Sequence, residues 1–247
     1  RHRDRAASAG SYFLFEEMAA RLVDRLMDFD RHFPLALDIG AHTGILARAL
    51  QGHGGIDTLV QTDMSTVMLI QAEGLRVAAD EEFLPFAENT LDLVLSAGSL
   101  HWVNDLPGCL VQIRHVLKPG GLFMATLSGG ETLKELRHAF EQAELKETGG
   151  ISPRVSPFVD VREAGALLVR AGFSMPVADS EALTVSYENP LTLLEDLRAM
   201  GETGALMTRR KSFTRQSVIF EAMAQYECLY ANKGGLMPAT FDLVTMT

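Results

Sequence analysis

The residues best able to do chemistry in this chain are acids and glycines that close short apolar runs. Asp38-Ile39-Gly40-Ala41-His42-Thr43-Gly44 ends the run Leu35 to Ile39. Gly40 permits a tight turn there, and Gly44 lets backbone and ligand approach closely. Asp63 stands 25 residues beyond Asp38, after the run Thr58 to Thr62, where a carboxylate can accept from both hydroxyls of a ribose. Asp80-Glu81 follows a third run, Leu75 to Ala79. A carboxylate there can accept from an adenine amino group while a neighbouring backbone amide donates to the ring. Met64 and Ser96 complete the expected contact set. One acid after a strand is usually a helix cap or a solvated end, but three in strand order point to a nucleoside.

A second group, His101 and Trp102, follows the run Leu91 to Ser96. A histidine titrating near neutrality can act as a general base, and Trp102 can wall a pocket or stack on a guanidinium. The plainer alternative has His101 capping a helix that begins near Asp105, with Trp102 packed under a lid. Tyr12 and Tyr187 are further pocket candidates without a motif. His32, His42, His53, His101, His115 and His138 fall on different elements, and none has the carboxylate spacing of an iron triad, so no metal site is expected.

These groups need a scaffold that gathers the ends of several strands. Five apolar runs bounded by turn signals, the last being Leu122 to Leu127, read as buried parallel strands. Helical patterns lie between them at 44–51, 66–71 and 106–117. Phe15, Met18, Ala19, Leu22, Val23 and Leu26 form the apolar face of a helix before the first strand. Lys118-Pro119-Gly120-Gly121 ends one helix and opens a strand. Beyond Leu127 the pattern predicts helices over 131–146, 161–171, 190–200 and 215–231, and strands over 177–187 and 239–246.

The predicted fold is therefore α/β, a doubly wound, mostly parallel seven-stranded sheet of Rossmann-like type with a helical lid. A single domain is expected over 1–247, with a ligand-binding half over about 1–127 and the lid plus two late strands over about 128–247. The net charge of −10 opposes a nucleic-acid partner. Arg1 to Arg5 and Arg209-Arg210-Lys211 read as a solvated terminus and a solvated loop. Cys109 and Cys228 are too far apart in sequence for a disulfide framework, which suggests a reducing compartment. No apolar run approaches a membrane span or a secretory leader, so an integral membrane protein is not expected.

The order of acid, Leu84-Pro85-Phe86, turn Asn89-Thr90 and apolar strand resembles the class I methyltransferases. That resemblance implies S-adenosylmethionine as cofactor and S-adenosylhomocysteine as product, with Asp38, Gly40, Gly44, Asp63, Met64, Asp80, Glu81 and Ser96 as its contacts. A sulfonium is cationic, so an acidic surround would help to hold it. The segments 79–86 and 100–107, Ser152-Pro153, Ser156-Pro157-Phe158, and Asp196-Leu197 with Met200-Gly201-Glu202 are similar to the mitochondrial complex I assembly factor family and its bacterial relatives. This implies a methyltransferase fold and hydroxylation of an arginine in the quinone-site subunit of complex I. The malonyl-acyl-carrier-protein methyltransferases of biotin synthesis share the cofactor half and an Asp-Leu-Arg segment before a Met-Gly or Ile-Gly pair.

Where most such domains carry glycine, this chain has His42, whose ring would crowd the methionine moiety or point to solvent. The resulting expectation is a methyltransferase-fold protein acting on a protein side chain or a carrier-linked acid, in the cytoplasm or, in a eukaryote, the mitochondrial matrix. An arginine hydroxylase, a malonyl-carrier methyltransferase and a non-catalytic cofactor-bound assembly factor are the alternatives.

Overall fold

A computed structural model describes residues 2–7, 10–204 and 214–247. Arg1 and the Arg209-Arg210-Lys211 cluster lie outside the described residues. In chain order the elements are α1 (His2–Ala6), α2 (Phe13–Leu26), β1 (Phe33–Ile39), α3 (Ile45–Leu50), β2 (Ile56–Asp63), α4 (Thr66–Leu69), β3 (Leu75–Ala78) and β4 (Leu91–Ala97). A 3-10 turn, Leu100–Trp102, leads to α5 (Leu106–Val116), β5 (Leu117–Ser128), α6 (Lys134–Thr148), α7 (Val161–Ala171), β6 (Ala178–Tyr187), α8 (Pro190–Ala199), α9 (Gln216–Tyr230) and β7 (Met237–Met246).

The seven strands form one sheet in the order β3-β2-β1-β4-β5-β7-β6. Strands β1 to β5 pair in parallel, and β7 runs antiparallel to both β5 and β6. The order reverses between β1 and β4, so the loops leaving their carboxyl ends diverge and open a crevice, the usual ligand position in such sheets. A helical lid follows in the second half, as the pattern after Leu127 predicts.

Alternation along β4 shows why the sheet needs helices on both faces. Leu93, Leu95 and Ala97 point into a core shared with α2, α3, α6, α8 and α9, whereas Val94 joins the core made with α5 and α7. Helix α2 buries Leu14, Phe15, Met18, Ala19, Leu22 and Leu26, each larger side chain contributing about 1.5–3 kcal/mol by leaving water.

Two expectations change. Strand β3 is not buried, because it is the sheet edge, paired only with β2, and all four of its residues are exposed. The Lys-Pro-Gly-Gly segment does not precede β5 but lies within it. Leu91 pairs with Leu117 and Leu93 with Leu122, so the intervening residues form a bulge, where a proline is tolerated in a sheet.

Candidate functional site

The crevice is built from the residues that follow β1, β2, β3 and β4. Gly40 has φ of +69°, and a Cβ added there would lie 2.0 Å from the Ser99 hydroxyl, so the turn requires glycine. Gly44 has φ of +81°, and a Cβ on it would come within 2.9 Å of Ala72 Cβ. Asp38, in β1, is buried with neither carboxylate oxygen hydrogen-bonded. Burial, and then the nearby charge of Asp63, push its pKa up to about 8.

Asp63 at the end of β2 accepts from the backbone N–H of Ser65 at 2.7 Å and of His42 at 3.0 Å. It also accepts from Arg3 Nη1, 3.3 Å from each carboxylate oxygen. Glu81 accepts from the Ser99 hydroxyl at 2.7 Å and from Arg3 Nη1 at 3.0 Å, while Arg3 Nη2 donates to Ser99 Oγ at 2.9 Å. Burial opposes the charge of Arg3, but Asp63 and Glu81 together outweigh it and raise its pKa. The N-terminal basic cluster is thus not simply solvated: Arg3 is drawn inward by two carboxylates that would otherwise face each other across a low-dielectric cleft.

A cavity of about 250 Å³ adjoins this ion cluster, and Arg3, Met64, Ser65, Asp80, Glu81 and Trp102 are among its lining residues. Met64, Asp80 and Glu81 therefore come together as expected. Asp80 also turns the chain, accepting from the backbone N–H of Glu82 at 2.9 Å. Asp38, Gly40, Gly44, Asp63 and Ser96 do not line this cavity, and Asp63 lies behind Arg3, fully buried. The Ser96 hydroxyl donates to the Ile39 carbonyl at 2.8 Å and ties β4 to β1.

His42 does not point to solvent. Its ring stacks on Phe15, 4.2 Å between centroids, and its Nε2 lies 3.3 Å from the Gly98 carbonyl. Its Nδ1 is buried without a partner. Burial, reinforced by Arg3, lowers its pKa to about 3, so the ring is neutral at physiological pH.

A second cavity, of about 230 Å³, lies under the lid and includes Trp102, Phe140, Arg154, Phe158, Arg198 and Glu202 in its lining. Trp102 belongs to both cavities. Glu202, just beyond α8, accepts from Trp102 Nε1 at 2.8 Å and from His101 Nε2 at 3.1 Å. Burial opposes its ionisation, but the influence of His101, followed by the hydrogen bonds from His101 and Trp102, prevails and lowers its pKa. His101 lines neither cavity, nor does it cap α5; Asp105 caps that helix itself, accepting from the Gly108 N–H at 3.0 Å. His101 Nδ1 is buried without a hydrogen-bond partner.

The lid segment over the second cavity is pinned by Glu144. This buried carboxylate accepts from Arg154 Nε at 2.8 Å and from the Ser152 N–H at 2.6 Å, so Arg154 enters the cavity with its charge already matched. Tyr12 donates to the Ala6 carbonyl and Tyr187 to Asp196, which makes both structural ties. Among the described residues no cluster of three or more His, Cys, Asp or Glu side chains is placed to hold a metal ion. Nor is any helix long and apolar enough to cross a membrane.

Sequence reading missed Arg3 and Glu202. Arg3 lies 60 residues from Asp63, and Glu202 is 100 residues from Trp102. Glu202 was visible only within the Met200-Gly201-Glu202 resemblance, with no periodicity or local motif to tie it to Trp102.

Residues 37–125 match the family model described as a methyltransferase domain. The mouse protein named arginine-hydroxylase NDUFAF5, mitochondrial, is 43% identical over 239 residues, covering 95% of this chain and 69% of its own. A malonyl-[acyl-carrier protein] O-methyltransferase of Gallionella capsiferriformans is 32% identical over 248 residues, covering 95% of this chain and 83% of its own. The crystal structure of YcgJ from Bacillus subtilis superposes with a TM-score of 0.63 at 14% identity, covering 93% of this chain and 97% of that one, a likeness of fold.

Proposed function

Because this chain belongs to the NDUFAF5 family, within the superfamily of S-adenosylmethionine-dependent methyltransferases, we propose that it binds S-adenosylmethionine in the crevice and acts on an arginine side chain of a protein in the lid cavity. The cofactor's needs match the donor set. Asp63 and Glu81 are acids at the strand ends where a nucleoside is held, and Asp80 and Met64 line the adjoining cavity. Asp38 offers a buried carboxylate with no partner, which a cationic ligand group would satisfy. When bound, S-adenosylmethionine supplies an activated methyl group and a positive charge. The chain supplies orientation and the exclusion of water.

The observation that carries the choice of acceptor is Glu202. A largely buried carboxylate, fixed by the Trp102 and His101 N–H groups, lines the second cavity beside Trp102, the residue common to both cavities. Its remaining lone pairs can accept from a guanidinium, and Trp102 offers a ring face to the same cation. His101 then acts as a positioning residue that holds Glu202. A carrier-linked acid is the second reading, and it rests on Arg198 in the lining of the same cavity. The partner follows from the acceptor: a subunit of complex I on the first reading, an acyl carrier protein on the second. We infer the mitochondrial matrix as the compartment in a eukaryotic cell, in keeping with relatives named as mitochondrial, and the cytoplasm in a bacterial one.

Peptide mass spectrometry of the complex I quinone-site subunit, from cells with and without this gene, tests the proposal. An arginine that loses one oxygen or one methyl group when the gene is absent supports it and names the chemistry. Unchanged arginines, with a malonyl-carrier substrate methylated by the purified protein, would establish the second reading instead.

A further inference from the structure

The seat of Arg3 has a consequence for how the crevice fills. A carboxylate offers about four lone-pair positions, and all those of Asp63 are in use. One oxygen accepts from the Ser65 N–H and from Arg3, the other from the His42 N–H and from Arg3. The two backbone donors are fixed, His42 by the glycine turn and Ser65 by its place as the N-cap of α4. Arg3 is the one donor that can withdraw without unfolding an element. It is also held elsewhere, by Glu81 and Ser99, so it can release Asp63 without becoming an unpaired buried charge.

We propose that Arg3 is an internal competitor for the ribose position, a self-ligand that a nucleoside must displace from Asp63. The inference rests on the nucleoside-binding role given to Asp63 above. It also extends to the lid, because α1 packs where the chain turns towards Glu202. Gly201 has φ of +83°, and a Cβ on it would lie 3.2 Å from Ala6 Cβ. His2 Nδ1 is 2.8 Å from the Thr203 hydroxyl. Both neighbours of Glu202 thus touch α1, so a shift of Arg3 is transmitted to the carboxylate at the acceptor wall.

Titration calorimetry with S-adenosylhomocysteine and, separately, with adenosine on the intact chain and on Arg3→Gln tests this. Adenosine carries the ribose but no methionine moiety, so it isolates competition at Asp63. The expected result is tighter binding of both ligands to Arg3→Gln by a similar factor, about tenfold if the seated arrangement holds about nine molecules in ten. Amide hydrogen exchange over 2–7 in the unaltered chain should quicken when S-adenosylhomocysteine is added. Weaker binding of S-adenosylhomocysteine with adenosine unaffected would overturn the proposal and make Arg3 a ligand of the methionine carboxylate. Equal affinities in both proteins, or slower exchange in α1, would overturn it too. If neither protein binds either ligand, the nucleoside reading of the crevice falls as well.

Discussion

Asp38 is a buried carboxylate and Glu202 a largely buried one, and their surroundings set them opposite tasks. Asp38 has no hydrogen-bond partner, and its pKa rises from 3.8 to about 8. Between those values the unfolded chain has lost a proton that the folded chain keeps, so this group makes stability fall as pH rises from about 4 to about 8 and adds no further change above that. Asp38→Asn should flatten that slope in thermal melts recorded from pH 5 to pH 8. A cationic ligand favours the ionised form, so binding of S-adenosylmethionine near pH 7 should release a proton. Calorimetry in two buffers of different ionisation heat checks this, and a binding heat independent of buffer would exclude it. Glu202 instead fixes Trp102, the single tryptophan of the chain. Glu202→Gln keeps one acceptor and should leave the emission maximum close to that of the unaltered protein. Glu202→Ala leaves the indole N–H unpaired at a cost of about 1–3 kcal/mol, and the emission should shift to the red. Identical spectra for the two variants would show that Glu202 does not hold the ring.

At the scale of elements, the helices that frame the site start where side chains cap them. Asp105 accepts from the Gly108 N–H to begin α5, and Asp160 with Glu163 forms a capping box at the start of α7. Both helices pack on the sheet face away from α2. Asp105→Ala and Asp160→Ala should each lower stability by about 1 kcal/mol in urea unfolding while leaving calorimetric affinity for S-adenosylhomocysteine unchanged. An affinity loss in Asp105→Ala would mean that the 3-10 turn before it, which carries Trp102, is positioned by α5. These helices were legible in the sequence because a 3.6-residue apolar period is a local signal, whereas their caps were not: Asp105, and not His101, starts α5. Helix α1 carries no such period in its 5 residues, so its seat depended on contacts the chain makes only when folded.

For the whole molecule, the order of the last strands matters most. Strand β7 lies between β5 and β6 and pairs with both, so the C-terminal residues complete the middle of the second half of the sheet. Deleting 237–247 would expose the edge of β5 and the apolar side chains of α6 and α9 that pack on β7. That truncation should lose the cooperative thermal transition by circular dichroism. A truncated chain that still melts in one sharp step would show that the N-terminal five strands form an independent unit.

The sequence by itself determined the element types, the parallel first half and the acids at the strand ends, because apolar period, turn residues and strand-end position are all local or evenly spaced along the chain. It expected Asp38, Gly40, Gly44, Asp63, Met64, Asp80, Glu81 and Ser96 to meet one cofactor, and of these Met64, Asp80 and Glu81 line one cavity while the others lie behind it. It left open where the His42 ring would go, and a buried place on Phe15 settles that. The tertiary structure alone decided which side chains complete the site. Arg3 reaches Asp63, and Glu202 reaches Trp102, across separations that no periodicity spans. Such pairs arise because charge buried in a cleft must be matched by whatever partner the fold brings near, and that partner's place in the chain is set by topology.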